Sequence, residues 1–508
     1  MEVSVKYFLG VDIGTFESKG VLIDELGQII SRASKSHEMI VPHPGYAEHE
    51  AEKSWWGDFC SISNQILENA GVDPNDIKSV GCSAIGPCCL PIDSECNPLT
   101  NAILYGVDVR ASKQIEYLNN KLGSDYILKI YGNPITSQSI GPKILWLKEN
   151  KPEVYKQASK FITASTFLVA KLTGNYTIDH YTAAYFTPMY NLETNDWDYE
   201  NLSEFCRPDQ LATPKWTDDI AGYITEKAAN ETGLAAGTPV TVGTADAAAD
   251  AVGVGVFNPG DMLLMFGSSV YIIHVVPKLV VDKRYWAGPF LFKDTYMVAS
   301  GMSTAGTLTK WFRDNLTPDL LAQQRTIGVD AYDQLQTEIK EISPGSDGLI
   351  VLPYFSGERT PINDPYAKGV FFGMHLSHTR GHLYQAALEG IAYGIAQHTN
   401  GYREIGMKTS RIIAVGGGTK SKKWMQIVSD VTEQPIIIGD VFGAAYGDAL
   451  IAAYAIGQFA NTAELNNFIN FKGVVQPQPE NFTVYRKQLD IFTKLYLVTK
   501  DLMKAVSN

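Results

Sequence analysis

The sequence predicts a layered α/β protein built as two related domains, and three observations lead there. A chain of 508 residues is too long for one ordinary core. Its first half mixes strand-like runs with helix-like ones, the arrangement of a layered α/β domain. Its opening pattern also recurs near the middle. FLGVDIGTFESKGVLID (8–24) and GDMLLMFGSSVYIIHVVP (260–277) each run as an apolar stretch, a turn of Gly and hydroxyl residues, and a second apolar stretch. A repeat at that separation points to duplicated domains rather than to a solenoid.

In chain order, YFLGVD, SKGVLID and QIISRAS read as a strand meander joined by Gly-containing turns. EKSWWGDFCSISNQILENAG follows with apolar residues at helical spacing and a closing Gly. IKSVGCSAIG then reads as a strand entering a loop. The Gly- and Ala-rich stretch 233–260 looks like a seam, dividing the chain into domains 1–247 and 248–508. With no long linker between them, the halves are expected to pack over a central cleft. Near the C-terminus, IIAVGGGTKSKKWMQIVSD (412–430) runs a strand into consecutive glycines and then opens a helix.

Composition narrows the function. Hydrophobic content of 45% and charged content of 19% describe a globular chain. The net charge of −13 argues against nucleic acid or an anionic membrane as partner. No apolar run approaches a membrane span, and MEVSVKYFLGVDIG lacks the basic start of a signal peptide, so the expected location is cytoplasmic. The six cysteines form no CxxC pair and are expected to be reduced thiols.

Five stretches could carry chemistry, among them the long loop YFSGERTPINDPYAKGVFFGM (354–374) with Glu358, Arg359 and Asp364, whose alternative is an ordinary surface loop. The Gly14-Thr15 turn lets backbone N–H groups approach phosphate oxygens, with Asp12 at the strand end, Thr15 adding a hydroxyl and Lys19 a cation; an ordinary hairpin is the alternative. The glycines at 416–418 leave bare backbone before a helix N-terminus, which favours anions. They match neither GxGxxG nor the P-loop. In GTADAAAD (243–250), Asp246 and Asp250 lie one helical turn apart among very small residues, so Asp246 reads either as a helix cap or as a base beside a substrate. Asp108 and Arg110 end a strand-like run, where they could bond a polyhydroxylated ligand or pair with each other. GxSxG and HExxH are absent, which removes the simplest hydrolase and zinc-enzyme readings.

Together these stretches resemble the FGGY family of carbohydrate kinases. GVFFGM (369–374) followed by HLYQAALEG (382–390) is similar to the family's C-terminal signature, and Lys143, Trp146, Glu149 and Asn150 to its N-terminal one, with Ile140 departing from it. The resemblance implies two actin-like ATPase (ribonuclease H-like) domains flanking the cleft. It also implies ATP and Mg²⁺, with a small sugar as acceptor and a homodimer left open. It makes Asp246 the catalytic base and Asp12 the holder of Mg²⁺ through water. Thr15, Lys19, Gly267, Ser268, Gly306, Gly417, Gly418 and Lys422 become the nucleotide contacts, and Asp108, Arg110 and the 85–87 loop the acceptor contacts. Members acting on xylulose carry Gln-Met-His where this chain has Ile85-Gly86-Pro87, and members acting on glycerol carry Arg-Glu. ILYGVDVR (103–110) still resembles the pentulose-kinase pattern. The expected acceptor is a ketopentose such as xylulose, with ribulose, glycerol, gluconate or a non-kinase ATPase as alternatives.

Overall fold

The computed structural model describes residues 5–440 and 443–507. Two compact units divide the chain. The first combines Met1–Pro259, Val275–Met297 and Phe442–Asn470, and the second combines Gly260–His274, Val298–Val441 and Phe471–Asn508.

The first unit is built on strands β1 (Tyr7–Ile13), β2 (Glu17–Asp24), β3 (Ile29–Ser36), β4 (Ile77–Ala84), β5 (Ile220–Tyr223), β6 (Pro239–Thr241) and β7 (Thr244–Ala245). Their order is β5-β6-β4-β1-β2-β3, with β7 beside β4. β1 pairs antiparallel with β2 and parallel with β4. β1 is apolar and buried almost throughout, as a central strand covered on both faces must be. β3 alternates polar and apolar residues, as a strand with one wet face does.

Two helices cover this sheet. Helix Gly57–Ala70 buries Phe59, Ile62 and Ile66 and ends at Gly71 in the left-handed conformation, a common helix stop. Helix Ala444–Ala455, AAYGDALIAAYA, packs backbone-close on the central strands. A Cβ at Gly10 would overlap the Ala445 carbonyl, and one at Gly81 the Asp448 carbonyl. These glycines therefore set how deeply the helix sinks into the sheet.

The second unit repeats the scheme with β8 (Asp261–Phe266), β9 (Val270–Val276), β10 (Tyr296–Met302), β11 (Arg411–Gly416), β12 (Ile436–Gly439) and β13 (Phe471–Val475). Here β8 and β9 form the antiparallel hairpin and β11 is the parallel neighbour of β8, just as β4 is of β1. Each unit thus carries one mixed sheet around an N-terminal hairpin, the repeat anticipated from the two apolar–turn–apolar stretches. Helix Arg380–Glu404 carries the expected signature glutamate, and its role is structural. Glu389 is fully buried and accepts the Gly345 N–H at 2.8 Å and the Ser346 hydroxyl at 2.8 Å, tying down a turn.

Candidate active site

In the first unit, carboxylates from three distant parts of the sequence converge. Asp12 is the penultimate residue of β1, Asp246 and Asp250 lie on helix Asp246–Gly253, and Asp448 lies on helix Ala444–Ala455. Ser83, on β4, links two of them: its hydroxyl is 2.6 Å from Asp448 Oδ2 and 3.2 Å from Asp12 Oδ1. Asp246 is the first helical residue rather than the cap, a place taken by Ala245, and its Oδ1 accepts the Ala247 N–H at 2.7 Å. The small residues around it serve packing. Ala248, Ala249 and Ala251 are fully buried, and the Ala249 carbonyl leaves no room for a Cβ on Gly447.

The electrostatics of this cluster are those of charges held out of water with too few countercharges. Burial, then the Asp250 charge, pushes the half-buried Asp246 carboxyl up to about 7. Burial raises Asp250 to about 6 against a small opposing pull from Lys19. Asp12 and Asp448 are driven well above the usual carboxylate range, burial being the first cause for both and the neighbouring aspartates adding to it. The donors are all oxygens, which suits a hard cation such as Mg²⁺. Among the described residues no three His, Cys, Asp or Glu groups converge closely enough to ligate an ion directly. The converging carboxyl oxygens of Asp12, Asp246, Asp250 and Asp448 fit such a cation.

The turn between β1 and β2 lies at the end of the strand that carries Asp12. Gly14 N–H bonds Glu17 O at 3.1 Å, and Thr15 Oγ1 lies 3.3 Å from the Tyr105 hydroxyl. Lys19 is half exposed and pairs with Glu17 at 3.2 Å.

The expected acceptor residues are more enclosed than their sequence context suggests. Asp108 is 2% exposed, and its oxygens accept the Ala47 N–H at 2.7 Å, the Arg110 N–H at 3.1 Å and the Arg110 guanidinium at 2.7–3.0 Å. Arg110 also reaches Glu48 at 2.9 Å and lies 4.1 Å over the Tyr46 ring and 5.2 Å from the Trp146 ring. Ile85 is 2% exposed and belongs to the hydrophobic core; Pro87, after a cis peptide, is buried, while Gly86 is partly open. Lys143, from the N-terminal signature, is buried, with Cys88 and Cys89 among its electrostatic neighbours. Burial lowers its ammonium to about 8, and among the described residues its Nζ has no hydrogen-bond partner. All six cysteines are free thiols.

The second unit holds a cavity of about 590 Å³ lined by Gly267, Ser268, Gly306, Gly417 and Gly418. Sequence reading named these five from three separate stretches, and the fold gathers them. The Gly267–Ser268 tip is tied back by the next helix start: Gly306 N–H bonds Gly267 O at 3.1 Å, while Ala305 and Thr307 N–H bond Ser268 O at 2.9 and 3.0 Å. Lys422, at the start of helix Lys422–Thr432, is not part of the lining, whereas Lys420 and Lys310 are. Asp448 and Lys420 are the site residues that sequence reading missed. Lys420 is adjacent to the flagged glycines and could have been found there; nothing near Asp448 in sequence marks it.

Comparison with known proteins agrees across nearly the whole chain. Residues 7–253 match the model for the N-terminal domain of the FGGY family of carbohydrate kinases, and residues 264–456 match that for its C-terminal domain. The chain is 30% identical to a xylulose kinase of Lactococcus lactis over 98% of its own length and 97% of that protein. It is 28% identical to a gluconokinase of Bacillus subtilis over 96% and 95%. The crystal structure of a xylulose kinase from Rhodospirillum rubrum superimposes with a TM-score of 0.91 at 28% identity, covering 98% of this chain and 100% of that one. Among the described residues no helix is long and apolar enough to cross a membrane.

Proposed function

The chain belongs to the FGGY family of carbohydrate kinases, phosphotransferases that act on an alcohol group, and from that premise we propose that it moves the γ-phosphoryl group of ATP to a hydroxyl of a ketopentose such as xylulose, with Asp246 as the base. The observation that carries this reading is the Asp246 carboxyl itself. It starts a helix, is half-buried, and titrates near neutrality because burial and Asp250 disfavour its charge. A base with a pKa close to the working pH combines a useful ionised fraction with a useful affinity for the proton.

As the acceptor oxygen attacks the γ-phosphorus, Asp246 takes the hydroxyl proton and the bond from phosphorus to the bridging oxygen breaks, releasing ADP. Such a transfer depends on positioning and charge neutralisation more than on covalent help. Mg²⁺, when bound, supplies neutralisation of the β- and γ-phosphate charges, and Asp12 and Asp448 are the groups that would hold its waters. Thr15, Gly267 and Ser268 contact phosphates, and Gly306, Gly417, Gly418 and Lys420 line the nucleotide's cavity. Asp108 and Arg110, closed on each other, shape the acceptor side from behind rather than by offering a free carboxylate.

A second reading, an aldonate acceptor such as gluconate, is favoured by one observation. The gluconokinase relative falls within the range of identity of the xylulose kinases. ADP release with Mg·ATP across ketopentoses, ketohexoses, polyols and aldonates, with Asp246→Asn as control, tests both readings. Strong turnover with one acceptor class, abolished by the variant, establishes the acceptor and the base. Turnover with no member of the panel overturns the proposal.

A further inference from the structure

We propose that His37, braced by Asp58, is a positioning residue of the phosphate turn: it ties the Gly14 carbonyl inward and thereby aims the Thr15 N–H at the nucleotide's phosphates. The inference rests on the reading of the Gly14–Thr15 turn as a phosphate contact.

His37 Nε2 lies 3.1 Å from the Gly14 carbonyl oxygen, and His37 Nδ1 lies 2.8 Å from Asp58 Oδ2. A carbonyl and a carboxylate are both acceptors, so the ring donates from both nitrogens when both bonds are made. Its main chain acts at the same place, because the His37 N–H bonds the Phe16 carbonyl at 3.0 Å. One residue therefore holds the carbonyls on both sides of Thr15. In a trans peptide the C=O and the following N–H point in opposite directions. With Gly14 O held by His37, Thr15 N–H faces away from the ring, and a run of such N–H groups in a turn is a place for an anion.

The brace is well built. Asp58 is 2% exposed and also accepts the Ser18 hydroxyl at 2.8 Å and Lys35 Nζ at 3.1 Å. Burial opposes ionisation of Asp58, but bonds from His37, Ser18 and Lys35 outweigh it and hold the carboxyl below its ordinary value. His49 stands edge-on to His37 with ring centroids 5.0 Å apart, and its Nδ1 accepts the Trp55 indole N–H at 3.1 Å, which keeps that wall in place.

The second unit supports the interpretation independently. At the equivalent hairpin tip the Gly267 and Ser268 carbonyls are also tied back, there by main-chain N–H groups of residues 305–307. The same task falls to main chain in one unit and largely to a histidine side chain in the other.

The test is calorimetric titration of the full chain, with Mg²⁺ present, using β,γ-imido-ATP and adenosine as probes. His37→Phe keeps a ring but removes both N–H groups. It is expected to weaken the triphosphate analogue about tenfold, the equivalent of one positioned hydrogen bond, and to leave adenosine binding unchanged. His37→Gln, whose amide can still donate to Gly14 O, is expected to recover part of the loss. Should His37→Phe fail to fold, Asp58→Asn is measured in its place and is expected to move the same ratio in the same direction. Equal weakening of both probes, or no weakening of either, overturns the positioning role. Gly14→Ala separates the two levels, since a Cβ there would press on the Glu17 carbonyl. If it weakens the analogue while His37→Phe does not, only the role of His37 falls. If Gly14→Ala also leaves the analogue unaffected, the phosphate-turn reading falls with it.

Discussion

Asp246→Asn is expected to stabilise the ligand-free protein while removing most of its turnover. Asn keeps the shape and the acceptor for the Ala247 N–H, so the helix start is preserved and only the charge is lost. The Asp246 carboxyl is raised from an ordinary 3.8 to about 7. At ~1.4 kcal/mol per tenfold change in proton affinity, that amounts to about 4 kcal/mol of charge penalty in the folded state. Because Asp246 is only half-buried and Asp250 relaxes when its neighbour is neutral, about 2 kcal/mol is the expected gain. The sign follows from linkage. A carboxyl whose folded pKa is raised makes the folded state bind more protons than the unfolded one, so its penalty grows as pH rises from about 4 to about 7. Urea denaturation at pH 8 should show the variant more stable, and at pH 4 the two proteins should coincide. Turnover should fall ~10²–10⁴-fold, the usual contribution of a positioned base. A variant no more stable than the parent at pH 8 would refute the account of Asp246 as a strained, uncompensated charge. A kcat near the parent's would refute its role as base.

Three further outcomes follow from the same geometry. The kcat/KM for the acceptor should climb with pH through about 7 and then level, since Asp246 must be ionised to take a proton; a flat profile between pH 5.5 and 8.5 would count against it. Lys420→Ala should raise KM for ATP several-fold with acceptor KM unchanged, whereas Lys422→Ala, outside the cavity lining, should leave both KM values unchanged; initial-rate kinetics on both variants decide it. Glu389→Ala leaves the buried Gly345 N–H and Ser346 hydroxyl without their acceptor. It should cost about 2–4 kcal/mol in denaturant titrations while active-site-titrated kcat stays within twofold.

What the sequence determined by itself is whatever backbone sterics and side-chain periodicity impose locally. Apolar runs broken at Gly14-Thr15 and Gly267-Ser268 announced two related hairpins, because only a tight turn accommodates such an interruption. The glycines at 416–418 and the carboxylates at 246 and 250 were visible as departures from ordinary strand and helix composition. The tertiary structure alone decided which of these features share a site and which polar groups are already spent. In sequence, Asp108 and Arg110 could equally face a ligand or pair with each other, and the fold makes each the other's partner. Asp448 sits in a helix that reads as plain small-residue packing. It reaches Ser83, 365 positions away, because Gly10 and Gly81 let that helix settle against the sheet at backbone distance. His37 lies in a polar stretch with no local signal, and its position under Gly14 depends on Asp58 from the following helix. Local sterics act over a few residues and leave a mark in sequence. Convergence of charges is a property of packing, where a missing Cβ in one segment sets the place of a carboxylate in another.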